Sequence, residues 1–306
     1  MIIDIIFFVL GALLLYYGAE HFILASKVIA LKFNISPIVI GITLVAFGTS
    51  LPELIVSIFA VFNNGSEGLV IGNVVGSNIA NIGLVLSISA FIFPFTIQFI
   101  KIKKDLFFLF FINLLLVVFI FLGDLWYLEG VIFLILLYIY CKYLLAKGQQ
   151  DDIVSEKINY SKKVFTKIIF GIIALGLGAH FFILGAKGIA LTLGVPPIII
   201  GMSIVAIGTS LPELAASISA VKHGEQDFVI GNVIGSNIMN VAAVLGITLL
   251  LSPITVQFEN IKIHLFYMMF LIMFLIFLIK LRGSISKYYS LVLMIIYISF
   301  IYINFQ

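Results

Sequence analysis

Two carboxylates stand where an apolar chain should not carry them. Glu53 closes the stretch GITLVAFGTSLPE (41–53) and Glu213 closes GMSIVAIGTSLPE (201–213), and GTSLPE is identical in the two. Each stretch lies within an apolar run long enough to cross a bilayer. An ionisable group near the midplane costs at least ~2.5 kcal/mol and by default marks a functional site. Proline removes a backbone donor and clashes with the carbonyl four residues back, so Pro52 frees the carbonyl of Gly48 and Pro212 that of Gly208. A helix broken there offers carbonyl oxygens to a cavity, and Thr49, Ser50, Thr209 and Ser210 add hydroxyls beside the carboxylates. This is chemistry suited to holding a cation. The S-x-x-E pattern also reads as a capping box that closes a half-helix, but a neutral glutamine could cap without bringing charge into the membrane twice.

A second motif is duplicated downstream. GNVVGSN (72–78) recurs as GNVIGSN (231–237). Asn73, Ser77 and Asn81 share one helix face at four-residue spacing, as do Asn232, Ser236 and Asn240. Gly72 with Gly76, and Gly231 with Gly235, form GxxxG patterns that let helices approach closely. Asn73 and Asn232 fit interhelical hydrogen bonding as well as ligation. Ser77, Asn81, Ser236 and Asn240 lie nearer the expected centre and fit ligation better. Carboxylate, hydroxyl, amide and carbonyl oxygens, with no Cys or His among them, suit Ca²⁺ or Na⁺ rather than Zn²⁺ or Cu⁺.

The elements that must position these groups are membrane helices. The chain has 306 residues, 63% hydrophobic and 10% charged, against about 25% charged in a soluble domain. It therefore reads as an all-α integral membrane protein. Apolar runs of about 18 residues or more give ten candidate transmembrane helices at 3–29, 36–62, 69–95, 105–122, 127–145, 164–190, 196–221, 228–252, 262–281 and 287–304. The second and seventh are expected to be broken at the GTSLPE motifs. The polar segment 146–163 links a first five-helix repeat (1–145) to a second (164–306) within one membrane domain. Gly18, Gly41, Gly48 and Glu53 recur 160 positions later as Gly178, Gly201, Gly208 and Glu213. An odd number of crossings per half implies a 5+5 inverted-topology repeat, an architecture common among transporters.

Loop charges give the orientation. Of 17 Lys and Arg residues, all but Lys187 and Lys262 fall on one side when alternate loops are assigned to alternate sides. The positive-inside rule then places the linker in the cytoplasm and both termini outside it. The first ten residues hold Asp4 and no basic residue, so that run reads as a retained helix rather than a cleaved signal. Net charge of +3 gives no reason to invoke nucleic acid, and one cysteine excludes a disulfide framework. No cofactor box is legible among the aromatics.

The paired GTSLPE segments followed by GNVVGSNIANI and GNVIGSNIMNV resemble the alpha-repeats of the sodium/calcium exchanger family, within the calcium/cation antiporter superfamily. The resemblance covers the whole chain. It implies ions held between the second, third, seventh and eighth helices, and exchange of cytosolic Ca²⁺ for Na⁺ by alternating access in a multi-pass protein of the cell membrane. The first and sixth helices would move as a gating pair, and the chain would work as a monomer. The implied ligands are Ala46, Thr49, Ser50, Glu53, Ser77 and Asn81 in one half and Ala206, Thr209, Ser210, Glu213, Ser236 and Asn240 in the other, the alanines through their carbonyls. Many members carry Asp where this chain has Asn240, which leaves open whether Na⁺, H⁺ or K⁺ drives exchange. The short linker lacks the calcium-sensing insert of animal exchangers.

The remaining ionisable groups read as structural. Glu20 aligns with His180 and fits helix-end snorkelling better than a gate, and His223 and His264 are expected in solvated loops. An intramembrane hydrolase using Ser50 or Ser210 would need an adjacent base, absent from both motifs. A channel would line a symmetric axis with rings of groups, which one inverted repeat does not supply.

Overall fold

In a computed structural model the described residues are 1–62, 67–148, 163–194 and 208–304. They form α1 (Ile2–Phe33), α2 (Pro37–Thr49), α3 (Leu51–Phe62), α4 (Gly68–Ile92), α5 (Phe99–Leu122), α6 (Tyr127–Gly148), α7 (Lys163–Thr192), α8 (Leu211–Lys222), α9 (Gln226–Leu251), α10 (Phe258–Arg282) and α11 (Lys287–Asn304). Among the described residues seven uninterrupted helices are long and apolar enough to cross a membrane, and the pair α2 and α3, bent by 42°, makes an eighth. Two of the ten expected crossings are absent from that count for separate reasons. Residues 196–207 of the seventh lie outside the described residues, leaving α8 alone, and the tenth, α11, offers a shorter apolar stretch, Lys287–Ile303.

Several boundaries differ from the apolar runs. α5 begins at Phe99 rather than 105, carrying the exposed Lys101, Lys103 and Lys104 on its first turns. Charge ends an apolar run but not a helix, because lysine is a good helix former and its stem can extend to the headgroups. α1 runs on to Phe33, where Asn34 adopts the left-handed conformation (φ 54°, ψ 44°) and returns its N–H to the carbonyls of Ala30 and Leu31. α6 continues through Gly148 and α7 starts at Lys163, and residues 149–162 of the expected linker lie outside the described residues.

Burial separates core from shell. The most apolar window of α9 is 89% buried and that of α4 is 72%, against 22% for α1. The two helices bearing the polar stripes are thus the centre of the bundle, surrounded by helices whose outer faces carry exposed Phe, Ile and Leu. α9 lies against α2 almost without side chains between them. A Cβ on Gly41 would come within 3.0 Å of the Cα of Gly231, and one on Gly231 within 2.6 Å of the Ile38 carbonyl oxygen. α1 and α7 pack antiparallel over most of their length, also through small residues. Gly11 meets the backbone of Phe182, Gly18 meets Ala174, Gly178 meets Leu15, and Gly171 meets Phe22.

Two short backbone pairings tie the first half of the chain to the second. β1 (Phe95–Thr96) runs antiparallel to β2 (Ser284–Ile285), with Phe95 opposite Ile285. At the far end of α5, Leu125 and Ile254 exchange both backbone hydrogen bonds, at 3.0 and 2.9 Å. Residue 95 shifted by 159 is 254, and residue 125 shifted by 160 is 285, so each pairing is the repeat-mate of the other.

Candidate cation site

Ser50 joins α2 to α3 in the bridge conformation (φ −84°, ψ 4°), and Ser210 precedes α8 in nearly the same one (φ −88°, ψ 7°). That region is sparsely allowed and is where chains turn at functional sites. Each turn sets a glutamate one position after its proline, in the first turn of the following half-helix. Glu53 is 0% and Glu213 1% exposed. The turns are braced across the two halves. Ser50 Oγ donates to Glu213 Oε1 at 3.3 Å. Thr49 Oγ1 lies 3.2 Å from Asn232 Oδ1 and 3.4 Å from Ser236 Oγ, while Ser77 Oγ lies 3.5 Å from Thr209 Oγ1.

The capping-box alternative is not what the hydroxyls and carboxylates do. Ser210 makes no side-chain cap, the Ser50 hydroxyl reaches Glu213 in the other half, and the Ser50 N–H is already spent on the Ala46 carbonyl at 3.0 Å. Ala46 O also lies 3.3 Å from Thr49 Oγ1. Ala206, the other carbonyl donor expected, lies outside the described residues.

Asn73 and Asn232 hold helices together. Asn73 Nδ2 donates to the Glu53 carbonyl (3.0 Å) and to Ser57 Oγ (2.9 Å), and Asn232 Nδ2 to the Glu213 carbonyl (3.4 Å) and Ser217 Oγ (3.1 Å). Their amides fix the backbone from which each glutamate projects. Ser57 and Ser217, 160 positions apart, belong to the site's frame and were not singled out by the sequence reading.

The cluster as a whole is rich in oxygen and short of partners. Both carboxylate oxygens of Glu53, Oε2 of Glu213, the Ser210 hydroxyl, both polar side-chain atoms of Asn81 and Oδ1 of Asn240 are buried without a hydrogen-bond partner among the described residues. Unpaired buried charge is severely unfavourable, and oxygen atoms without a donor are the kind of group a cation satisfies. Among the described residues no three of His, Cys, Asp and Glu gather in one place. The donors that remain are hard oxygens, which suit Ca²⁺ and Na⁺.

The sodium/calcium exchanger protein family model matches residues 3–146 and 163–306. The chain belongs to the sodium/calcium exchanger family. It is 31% identical to the sodium/calcium exchanger MaX1 of Methanosarcina acetivorans, over 99% of both chains, and 38% identical to an uncharacterized membrane protein, MJ0091, of Methanocaldococcus jannaschii, over 90% of both. Its fold is similar to that of the sodium-calcium exchanger NCX_Mj soaked with zero Na⁺ and Ca²⁺, with a TM-score of 0.84 and 34% identity over 97% of each chain.

In this exchanger the site is backed by an amide network that the polar stripes did not disclose. Asn78 Nδ2 donates to Asn113 Oδ1 (2.9 Å) and to the Asn237 carbonyl (3.2 Å), and Asn78 Oδ1 accepts from Asn240 Nδ2 (3.1 Å). Asn113 is anchored in turn by donating to the Leu109 carbonyl at 2.8 Å. Asn240 is thereby oriented, with its amide nitrogen committed and Oδ1 unpartnered. Asn78 and Asn237 were legible within the duplicated GSN, but each sits one position off the stripe and so a third of a turn round the helix. Asn113 has no repeat-mate, since position 272 is Ile. Immediately at Asn81 and at Asn240 the helices widen into π turns, Asn81–Leu86 and Asn240–Leu245, a distortion that often marks functional positions.

The histidines correct a simpler expectation. His223 lies in the turn after α8 as expected, but it is only partly solvated: its Nε2 is buried and stands 3.9 Å from Glu20. His264 packs edge-on against Phe300. His180 is exposed and packs edge-on against Phe181.

The close approach of α9 to α2 bears directly on stability. A Cβ on Gly235 would collide with the Ile42 carbonyl oxygen and with Ala46 Cβ, 2.6 Å away. Gly235→Val should therefore push α9 from α2 at a cost of about 1–3 kcal/mol, typical of overpacking. Thermal unfolding of the purified variant in detergent is expected to show a lower midpoint than the natural protein. An unchanged midpoint would mean that the two helices are not in contact through this glycine.

Proposed function

We propose that this protein is a secondary antiporter that exchanges Ca²⁺ for Na⁺ by alternating access and exports Ca²⁺ from the cell. The observation that carries this reading is the pair of buried carboxylates, supplied one from each half and left without partners for three of their four oxygens. Their charge of −2 matches one Ca²⁺. The proposed ligands are Thr49, Ser50, Glu53, Ser77, Asn81, Thr209, Ser210, Glu213, Ser236 and Asn240, with the Ala46 and Ala206 carbonyls. Membership of an exchanger family supports counter-transport over a passive pore or a hydrolase.

The architecture proposed with it is ten helices in a 5+5 inverted repeat, with both GTSLPE helices broken, both termini outside and the linker in the cytoplasm. The 42° bend at Ser50, the matching Ser210 conformation, and the two backbone pairings related by a shift of 159–160 support it. A monomer holds all the proposed ligands.

The test is ⁴⁵Ca²⁺ uptake into proteoliposomes under Na⁺, K⁺ or H⁺ gradients imposed in turn. Uptake is expected only against an opposed Na⁺ gradient. If three Na⁺ exchange for one Ca²⁺, each turnover moves one charge, and a valinomycin-imposed potential shifts the balance by ~2.3 kcal/mol per 100 mV. Uptake driven by H⁺ or K⁺ alone would replace the sodium reading with one in which the neutral Asn240 alters the driving ion. Ca²⁺ flux that needs no counter-ion gradient would overturn antiport.

A further inference from the structure

Away from the ion site, the junction of α5 with α10 carries a cavity whose lining divides sharply by chemistry. A groove of about 420 Å³ is walled by Phe107, Phe110, Met273 and Ile276, with Lys103 and Lys280 at its mouth. A second cavity of about 400 Å³ opens beside it, lined by Lys101, Lys104, Lys147 and Tyr143 and sharing Lys103 with the first. Among the described residues the carboxylate close by, Asp105, is fully buried and already engaged, by Lys147 Nζ at 2.6 Å and by the Tyr140 hydroxyl at 3.0 Å. Lys147 Nζ also donates to the Lys101 carbonyl, and Lys104 lies over the Tyr143 ring. That leaves Lys103 and Lys280, both exposed, lining an apolar groove to which the described residues contribute no carboxylate.

We propose that this groove is a binding site for a membrane phospholipid with an anionic headgroup, one acyl chain lying along Phe107, Phe110, Met273 and Ile276 and the phosphate held between Lys103 and Lys280. The charge pattern selects the lipid class. Any phospholipid could fill the apolar wall, but a zwitterionic choline headgroup would bring a cation into a pocket whose described lining holds several ammonium groups and no unengaged carboxylate. A net negative headgroup meets only attraction there, and basic pockets between membrane helices are known lipid-selective sites. The site stands behind the ion ligands. One turn deeper, α5 carries Asn113 and α10 carries Met268, and both touch Asn78. A lipid wedged between α5 and α10 therefore presses on the two helices that orient Asn78, and through it Asn240.

The test is native mass spectrometry of the full chain after exchange into mixed micelles holding phosphatidylglycerol and phosphatidylcholine in equal amount. The natural protein should retain one phosphatidylglycerol in preference to phosphatidylcholine. A lysine at a membrane surface contributes about five-fold to anionic-lipid affinity, so Lys103→Gln with Lys280→Gln should lower retention about 30-fold. Lys103→Arg with Lys280→Arg should restore it, which a folding defect would not allow. Lys32→Gln with Lys142→Gln, removing the same charge elsewhere, should leave it unchanged. Glycerol phosphate added in excess should not displace the lipid, since it lacks the chain. Equal retention of both lipids by the natural protein, equal retention by the Gln and natural proteins, or displacement by glycerol phosphate would each overturn the proposal. None of these readouts depends on which ions the protein transports.

Discussion

Glu53→Gln or Glu213→Gln is expected to reduce Ca²⁺ transport at least ~100-fold while the protein still folds. Breaking a buried charge arrangement by removing one member costs about 3–5 kcal/mol, and here the member removed leaves a divalent ion facing a single negative charge. Glutamine keeps the volume, and Glu53 has no protein hydrogen bond through its carboxylate that the amide would have to reproduce. A second sign separates this outcome from misfolding. Glu53 and Glu213 are both buried, two carboxylates sharing one site disfavour each other's charge, and neutralising one relieves that penalty when no cation is present. Each variant should thus be more heat-stable than the natural protein in chelator, and should gain far less stability when Ca²⁺ is added. Thermal unfolding with and without Ca²⁺, beside ⁴⁵Ca²⁺ flux, checks both signs. Full flux in either folded variant would sink the shared-site reading.

The second large effect is expected at Asn240. Asn240→Asp should make Ca²⁺ transport depend on pH between 6 and 9 more steeply than in the natural protein, by about ten-fold across that range. The reason is a hydrogen-bond direction rather than charge alone. Asn240 Nδ2 donates to Asn78 Oδ1, and only a protonated carboxyl can make the same donation. An ionised one would set oxygen against oxygen. Asn78 could turn its amide to meet it, at the loss of its bonds to Asn113 and to the Asn237 carbonyl. The folded variant thus favours the proton more than the unfolded chain does, and its stability should fall as pH rises. Adding Asn113→Ala to Asn240→Asp unpins Asn78, so the double variant should show a weaker pH dependence than the single one. Superimposable pH profiles of the natural and Asn240→Asp proteins would leave residue 240 as helix packing only.

What the chain's letters disclose depends on whether a residue violates its surroundings. Glu53 and Glu213 were legible because a carboxylate and a proline interrupt an apolar run, and because the interruption occurs twice. Asn78 breaks no such rule, and its importance comes from Asn113, which lies on another helix without a repeat-mate to draw attention to it. Contacts between α4, α5 and α9 are fixed by packing that no local pattern encodes. The start of α5 was hidden for the opposite reason: Lys101, Lys103 and Lys104 look like a loop to hydropathy although they are helical. The glycines of the second GxxxG were read correctly as a close approach, but the partner, α2 of the other half, could not be inferred from spacing.

The two backbone pairings also bear on how the chain is made. Phe95 cannot find its partner until residue 285 has left the ribosome, and Leu125 waits for residue 254. Thr49 and Ser50 likewise wait for Ser236 and Glu213, their partners from the late part of the chain. The first five helices must therefore linger in the bilayer with a carboxylate and a row of amides unshielded, a state that only the late helices resolve. Interruption of synthesis after α6 should yield a fragment that is inserted yet readily degraded, and co-expression of the missing half should rescue it.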